Sequence, residues 1–166
     1  MYINICQKIL KRHKRKIKEI YKISKNQGIE SGFEICKDMR SGPIHTGTSE
    51  KMKFKKYCLY PLTYVHTHTE VTSERAGEYN VEVQTGNTIE QLPSLNDLKR
   101  AELNNHRYSC IISVPMKTLV CMEPTDDNIK IIDDFIKSLH SDGGNIGSKL
   151  SSRNSSAKYC KIKLHV

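Results

Sequence analysis

Apolar residues in the first 25 positions recur at helical spacing. They are Ile5, Ile9, Leu10, His13, Ile17, Ile20, Tyr21 and Ser24, where His13 and Ser24 continue the stripe as polar members. A stripe of this kind predicts an amphipathic helix that turns one face to the core. Gly28 then marks the end of the helix, because glycine readily adopts the left-handed conformation that terminates helices. We therefore expect a helix within residues 1–27.

Further along the chain the pattern favours strands. The stretch "GFEICKD" predicts a strand, which the turn "MRSGP" separates from a second strand around Ile44. The stretch "YCLYPLTYVHTH" predicts a longer strand. Two more follow in "YSCIISV" and "TLVCME", and "KYCKIKLHV" ends the chain as an expected edge strand.

Two shorter helices complete the pattern. One is predicted in "SLNDLKRAELNN", and an amphipathic helix beginning near Thr125 carries Ile129, Ile132, Phe135, Ile136 and Leu139. Helices that flank a mixed β-sheet make an α/β sandwich, with helices on both faces (α/β/α). A chain of 166 residues is one ordinary domain, so we expect residues 1–166 to form a single unit.

Two segments interrupt this regular pattern. Residues 69–92 are polar and irregular, although "YNVEVQTGNTI" alternates well enough for a small hairpin, and we interpret the segment as an inserted flap. Residues 141–157, within "SDGGNIGSKLSSRNSSA", are rich in glycine and serine. Such a composition predicts a flexible loop before the C-terminal strand.

The net charge of +9 is concentrated at one end of the chain. Residues 1–25 hold nine basic residues against Glu19 alone, whereas the rest holds 18 basic and 17 acidic residues. A basic helix face is either a solvated surface or an electrostatic footprint for nucleic acid or an acidic partner. No stretch approaches the roughly 18 apolar residues of a membrane span, so we expect no membrane partner.

Six cysteines are scattered along the chain without a C-x-x-C pair: Cys6, Cys36, Cys58, Cys110, Cys121 and Cys160. Three of them lie in apolar, strand-like runs. This pattern predicts reduced thiols in the core of a cytoplasmic protein rather than a disulfide framework or a zinc ribbon. The charged start of the chain also differs from a secretory signal, in which the charge precedes the apolar segment.

The stretch "YVHTHTE" places two histidines at the end of an apolar strand. Side chains two residues apart point to the same face, so His66 and His68 are suited to gripping one metal ion, although an exposed strand end has the same pattern. Zinc needs at least a third protein ligand. In "LPSLNDL", Ser94 and Asp97 have the spacing of a helix capping box, and the same aspartate is a candidate ligand because both roles can coexist at a helix start.

Taken in order, these features resemble the JAB/MPN family of metal-dependent peptidases, which carries the JAMM signature. That signature is a glutamate after the first helix, then H-x-H, then S-x-x-D. Here the first helix runs into "GIESGFEI", followed by His66-Thr67-His68 and by Ser94-Leu95-Asn96-Asp97. The resemblance covers about residues 5–140 and implies a JAB/MPN-like, cytidine-deaminase-like fold.

The resemblance also implies a role for each motif residue. His66, His68 and Asp97 would hold a zinc ion whose fourth position is water, and Glu30 would be the general base. Ser94 would donate a hydrogen bond to the oxyanion. Glu34 is the competing assignment for the base, because it lies on the same strand face as Glu30.

The implied activity is that of a zinc metallopeptidase or isopeptidase. Its substrate would be the C-terminal tail of a ubiquitin-like or sulfur-carrier-like protein, cut at a peptide or isopeptide bond. The alternative is a non-catalytic binding module of the MPN or RadC-like kind, which would contact nucleic acid through the basic first helix.

Overall fold

The computed structural model describes residues 4–48, 55–69, 74–75, 78–79, 81–85, 88–141, 150–151 and 158–166. Its three helices are α1 (Ile5–Gln27), α2 (Leu95–Leu103) and α3 (Asp126–Ser141). The strands are β1 (Ser31–Cys36), β2 (His45–Thr46), β3 (Pro61–His68), β4 (Glu74–Arg75), β5 (Glu78–Tyr79), β6 (Val81–Thr85), β7 (Thr88–Leu92), β8 (Tyr108–Ser113), β9 (Thr118–Met122), β10 (Leu150–Ser151) and β11 (Tyr159–Lys163).

Six of the strands form one mixed sheet in the order β11-β9-β8-β3-β1-β2. The β3–β8 pair is parallel, and every other neighbouring pair in this sheet is antiparallel. Because β3 lies in the middle of the sheet, both of its edges are hydrogen-bonded, and seven of its eight residues are buried. The strand that carries the two histidines is therefore held rigidly.

Each face of the sheet is covered by helices. Helix α1 packs on one face, where Ile9, Ile17 and Ile20 join Phe33 and Val65 of the sheet in one core cluster. The opposite face carries a second cluster, in which Leu98 of α2 and Ile132 of α3 pack against β8 and β9. The general α/β prediction, with a mixed sheet and flanking helices, is confirmed.

Helix α1 has the caps that its sequence predicts. The Asn4 side chain accepts a hydrogen bond from the backbone N–H of Gln7 at the start of the helix. At the other end Gly28 adopts a left-handed conformation with φ of 66°, and its N–H donates to the Ser24 carbonyl. The helix is kinked at His13, whose backbone angles are non-helical and whose side chain is buried.

The predicted elements correspond to α1, β1, β2, β3, α2, β8, β9, α3 and the edge strand β11. Within the predicted flap, β6 and β7 pair as an antiparallel hairpin, and β4 pairs with β5. Much of the predicted loop 141–157 lies outside the described residues. Where the structure describes it, at β10, the chain is a short strand parallel to β6 rather than a loop.

The prediction of reduced cysteine thiols is wrong in this structure, which joins all six cysteines as Cys6–Cys160, Cys36–Cys58 and Cys110–Cys121. The partners are far apart in sequence or lie on neighbouring strands, and only the fold brings them together. Cys110 and Cys121, for example, are direct cross-strand partners on β8 and β9. The cysteine pattern therefore no longer supports a cytoplasmic location. Among the helices of the described residues, none combines the length and the apolar character needed to cross a membrane.

Candidate metal centre

Two of the predicted ligands project from the end of β3. His66 and His68 lie on the same face of the strand, and their Nε2 atoms are 3.2 Å apart. Both side chains are almost completely buried, with exposed fractions of 7% and 2%. The strand alternation that the sequence predicts therefore produces a pair of converging imidazoles.

The third predicted ligand comes from the first turn of α2. Asp97 Oδ1 lies 3.1 Å from His66 Nε2, and Asp97 Oδ2 lies 3.0 Å from His68 Nε2. One donor atom from each of these three buried residues therefore lies within 4.8 Å of the other two. A tetrahedral zinc with bonds of 2.0–2.1 Å needs its nitrogen and oxygen donors roughly 3.3 Å apart.

The local chemistry of α2 fixes the position of Asp97. Ser94 is the N-cap, and its side chain accepts a hydrogen bond of 3.1 Å from the Asp97 N–H. The Ser94 N–H in turn donates to Asp97 Oδ2 at 2.9 Å. The capping box predicted from sequence is thus present, and it holds the carboxylate that faces the histidines. Both interpretations of the S-x-x-D motif are compatible in one structure.

Charge at the centre favours an anionic aspartate. Burial alone would raise the pKa of Asp97, but the adjacent imidazoles of His66 and His68 outweigh burial and hold this pKa well below its usual range. Burial alone would lower the pKa of His66, whereas the Asp97 carboxylate, with a smaller effect from Glu30, raises it. The deprotonated carboxylate is a suitable zinc ligand, whereas the raised pKa of His66 means that zinc has to displace the proton of this imidazole in order to bind.

The second nitrogen of each imidazole also bears on metal binding. Because both Nε2 atoms turn to the same point, metal binding requires each imidazole to carry its proton on Nδ1. Nδ1 of His68 is buried and has no hydrogen-bond partner among the described residues. Metal-bound histidines usually donate a hydrogen bond from the second nitrogen, and the described residues provide no acceptor for His68 Nδ1.

Thr67, the residue between the two histidines, is hydrogen-bonded on the opposite face of β3. Thr67 points to the α1 face, where its hydroxyl bonds the Ser24 hydroxyl and accepts from the Ser31 N–H at 3.0 Å. The Ser31 hydroxyl continues the network to the Ile20 carbonyl at 2.9 Å. This buried network ties β3 to the end of α1 and to β1, so it orients the histidines. The alternation of the H-x-H motif indicates that Thr67 faces away from the metal, but its partners are decided by the fold.

Glu30 lies immediately before β1, the strand that pairs with β3. Its side chain is 4% exposed, and its backbone is bonded to residues 47 and 48 at both its N–H and its carbonyl. Its charge contributes to the raised pKa of His66, consistent with a carboxylate near that imidazole. Gly32 follows on the same face and pairs directly with His66 across the strands.

Glu34 is engaged elsewhere. One of its oxygens accepts from the N–H groups of Tyr57 and Cys58 at 2.7 and 2.6 Å. The other lies 2.8 Å from Nε2 of His106, and both side chains are buried. Glu34 therefore fastens the segment before β3 to the sheet, and this role argues against it as the general base. The sequence signalled neither this role nor the contact with His106.

A small cavity adjoins the ligands. It has a volume of about 20 Å³, enough for about one water molecule. Among the residues that line it are His66, Asp97, Arg100 and His106. Arg100 follows Asp97 by one helical turn and brings a positive charge to this side of the centre. No sequence pattern singles out Arg100, because its position beside the cavity depends on how α2 packs against the sheet.

Comparison with known proteins adds no family assignment. No family model, no curated protein and no solved structure shows significant similarity to this chain.

Proposed function

We propose that this protein is a zinc-dependent peptidase or isopeptidase of the JAMM class. The observation that carries the proposal is the convergence of His66 Nε2, His68 Nε2 and the Asp97 carboxylate, with 3.0–3.2 Å between the atoms. These residues are separated in sequence, buried, and held by a central strand and a capped helix. Their order along the chain, after Glu30, matches the motif that the sequence resembles.

The proposed roles follow from position and chemistry. Zinc, when bound, lowers the pKa of a coordinated water to about 7 and polarises a carbonyl group. Glu30 accepts the proton of the attacking water and passes it to the leaving amine. By the resemblance, the Ser94 hydroxyl, whose oxygen accepts from the Asp97 N–H, stabilises the oxyanion by donating a hydrogen bond.

The proposed substrate is an extended C-terminal tail of a ubiquitin-like or sulfur-carrier-like protein. Strand β2 is the outer strand on the Glu30 side of the sheet, next to β1. An extended peptide can add to such an edge through main-chain hydrogen bonds, with its side chains setting specificity. This mode would place the tail on the Glu30 side of the sheet, with β2 and β1 between it and the histidine strand β3.

Metal content is the first test. Elemental analysis of the purified protein should give about one zinc per chain, and His66→Ala and Asp97→Asn should each lose it. His165→Ala is the matched control, because His165 is an exposed histidine near the C-terminus. If Asp97→Asn retained zinc, Asp97 would have only its helix-capping role, and the proposed centre would be contradicted.

Turnover is the second test. The substrate is a ubiquitin-like protein whose C-terminal tail is joined through an amide bond to a fluorophore. Glu30→Gln should keep the zinc but lower kcat by about 10²- to 10⁴-fold, the usual contribution of a general base. In Glu34→Gln, kcat of the folded protein should stay close to that of the wild type. A protein that binds zinc stoichiometrically but cleaves no tail would favour the non-catalytic binding module.

A further inference from the structure

Six basic residues form one line along the outer face of α1. They are Lys8, Lys11, Arg15, Lys18, Lys22 and Lys25, at successive intervals of three, four, three, four and three residues. We call this line the basic seam. Residues three and four apart are neighbours on a helix surface. Five of the six side chains are exposed, and Lys18 is half-buried.

The seam is not neutralised within the helix. Glu19 is the only acidic residue of α1, and like charges three or four residues apart repel each other. Lys16 is different, since its ammonium group bonds the Ser41 hydroxyl and the Gly42 carbonyl. A line of repelling charges disfavours the helix in isolation, and an external polyanion would relieve that repulsion.

We propose that the basic seam binds the phosphate backbone of duplex nucleic acid. From Lys8 to Lys25 a straight helix would make the seam about 26 Å long at 1.5 Å per residue, and the kink at His13 lies between Lys11 and Arg15. Duplex DNA carries one phosphate charge per 1.7 Å of its axis, so a segment of this length offers about 15 charges. An extended charge line suits this linear polyanion better than a compact acidic site, because successive cations can meet successive phosphates.

Two features of α1 disfavour other anionic partners. The apolar stripe of the helix, with Ile9, Ile17 and Ile20, is completely buried against the sheet. It is therefore not available to enter a membrane, as interfacial helices require. The seam itself contains no aromatic side chain on which unpaired bases could stack, so it lacks the platform typical of single-strand binding.

The seam is separate from the metal centre. Helix α1 packs on the sheet face that carries Phe33 and Val65, whereas His66 and His68 point to the opposite face. Duplex binding and the proposed hydrolysis would therefore occur on different faces of the molecule. Variants of the seam and of the metal ligands can consequently be interpreted independently.

The test is the salt dependence of binding to a fluorescein-labelled 24-base-pair duplex, measured by fluorescence anisotropy. The seam variant is Lys11→Gln/Arg15→Gln/Lys22→Gln, since glutamine has a helix propensity close to that of lysine and arginine. The control variant, Lys37→Gln/Lys55→Gln/Lys56→Gln, removes three exposed charges outside α1. Thermal unfolding of all three proteins checks that each is folded.

For the wild type we expect a slope of about −5 in a plot of log K against log salt concentration, because each phosphate contact contributes about −0.9. The seam variant should halve this slope and weaken binding on the order of 10²-fold at 0.1 M salt. The control variant should change the slope by less than about one unit. Equal losses in both variants, or no duplex binding by the wild type at low salt, would overturn the proposal. Tighter seam-dependent binding to phosphatidylserine vesicles or polyglutamate than to the duplex would overturn it as well.

Discussion

At the scale of single residues, the metal centre depends on a glycine that is not a ligand. A Cβ atom at Gly32 would lie 2.5 Å from the Val65 carbonyl oxygen and 2.9 Å from Cβ of His66. The site therefore requires the smallest residue at the position that faces His66 across the strands. The motif resemblance does not include this requirement, because it depends on the β1–β3 register.

We predict that Gly32→Ala displaces His66 and weakens zinc binding at least tenfold, measured by competition with a chelator of known affinity. Gly28→Ala is the matched control. It strains the left-handed end of α1, but the added methyl group meets no atom within 4 Å. Gly28→Ala should lower the thermal stability and leave the zinc affinity unchanged. Equal zinc affinity in the two variants would refute the steric argument.

His106 offers a second test at this scale. Burial lowers the pKa of His106, although the Glu34 carboxylate opposes the shift. The folded state therefore binds a proton less readily than the unfolded state, so His106 destabilises the fold as the pH drops below about 6.5. Above that value both states hold the neutral imidazole, and the penalty is absent.

We therefore predict that wild-type stability falls more steeply than that of His106→Gln between pH 6.5 and 5. The difference in slope should approach 1.4 kcal/mol per pH unit at most. Urea unfolding with a chelator present at each pH measures this difference without metal binding. Parallel pH profiles for the two proteins would mean that His106 binds protons equally in both states.

At the scale of elements, the first turn of α2 combines an observed helix cap with a proposed catalytic role. Ser94 caps the helix, and the same hydroxyl is the proposed oxyanion donor. Thr125 gives α3 a comparable start, since its hydroxyl accepts from the Asn128 N–H at 3.2 Å. The two caps provide a matched pair, one beside the metal centre and one away from it.

We predict that Ser94→Ala and Thr125→Ala each lower the free energy of unfolding by about 1 kcal/mol, the usual cost of losing an N-cap. Only Ser94→Ala should also lower kcat, by about 10²-fold or more, because oxyanion donors act in the transition state. Chemical denaturation and steady-state kinetics on the same preparations separate the two effects. A kcat reduced equally in both variants would assign Ser94 to the helix cap alone.

At the scale of the whole molecule, the disulfide Cys6–Cys160 joins the first helix to the last strand. It spans a sequence separation of 154 residues, whereas Cys36–Cys58 spans 22. Loop-closure entropy predicts stabilisation of about 5 kcal/mol for the longer loop and about 3.5 kcal/mol for the shorter. The longer disulfide should therefore contribute more to the stability of the fold.

We predict that Cys6→Ser/Cys160→Ser lowers the free energy of unfolding more than Cys36→Ser/Cys58→Ser does. Denaturation of the oxidised proteins measures both losses, and mass spectrometry after thiol alkylation counts the disulfides. Six alkylated thiols in the native wild-type protein would instead restore the reduced-thiol prediction.

The sequence alone determined the features that depend on residues close together in the chain. The apolar stripe of α1, the glycine that ends it, the alternation that aligns His66 with His68, and the capping box at Ser94 depend only on residues a few positions apart. The general α/β class follows from the same periodicities, since helices and strands must bury their apolar faces against each other.

The tertiary structure decided the contacts between distant residues. Asp97 lies beside the histidines because α2 packs against β8, which neighbours β3. Glu34 contacts His106 and the segment before β3. The cysteines pair because strand order and helix packing bring them together. Such contacts depend on register and packing, which a single sequence specifies only through the energy of the whole fold.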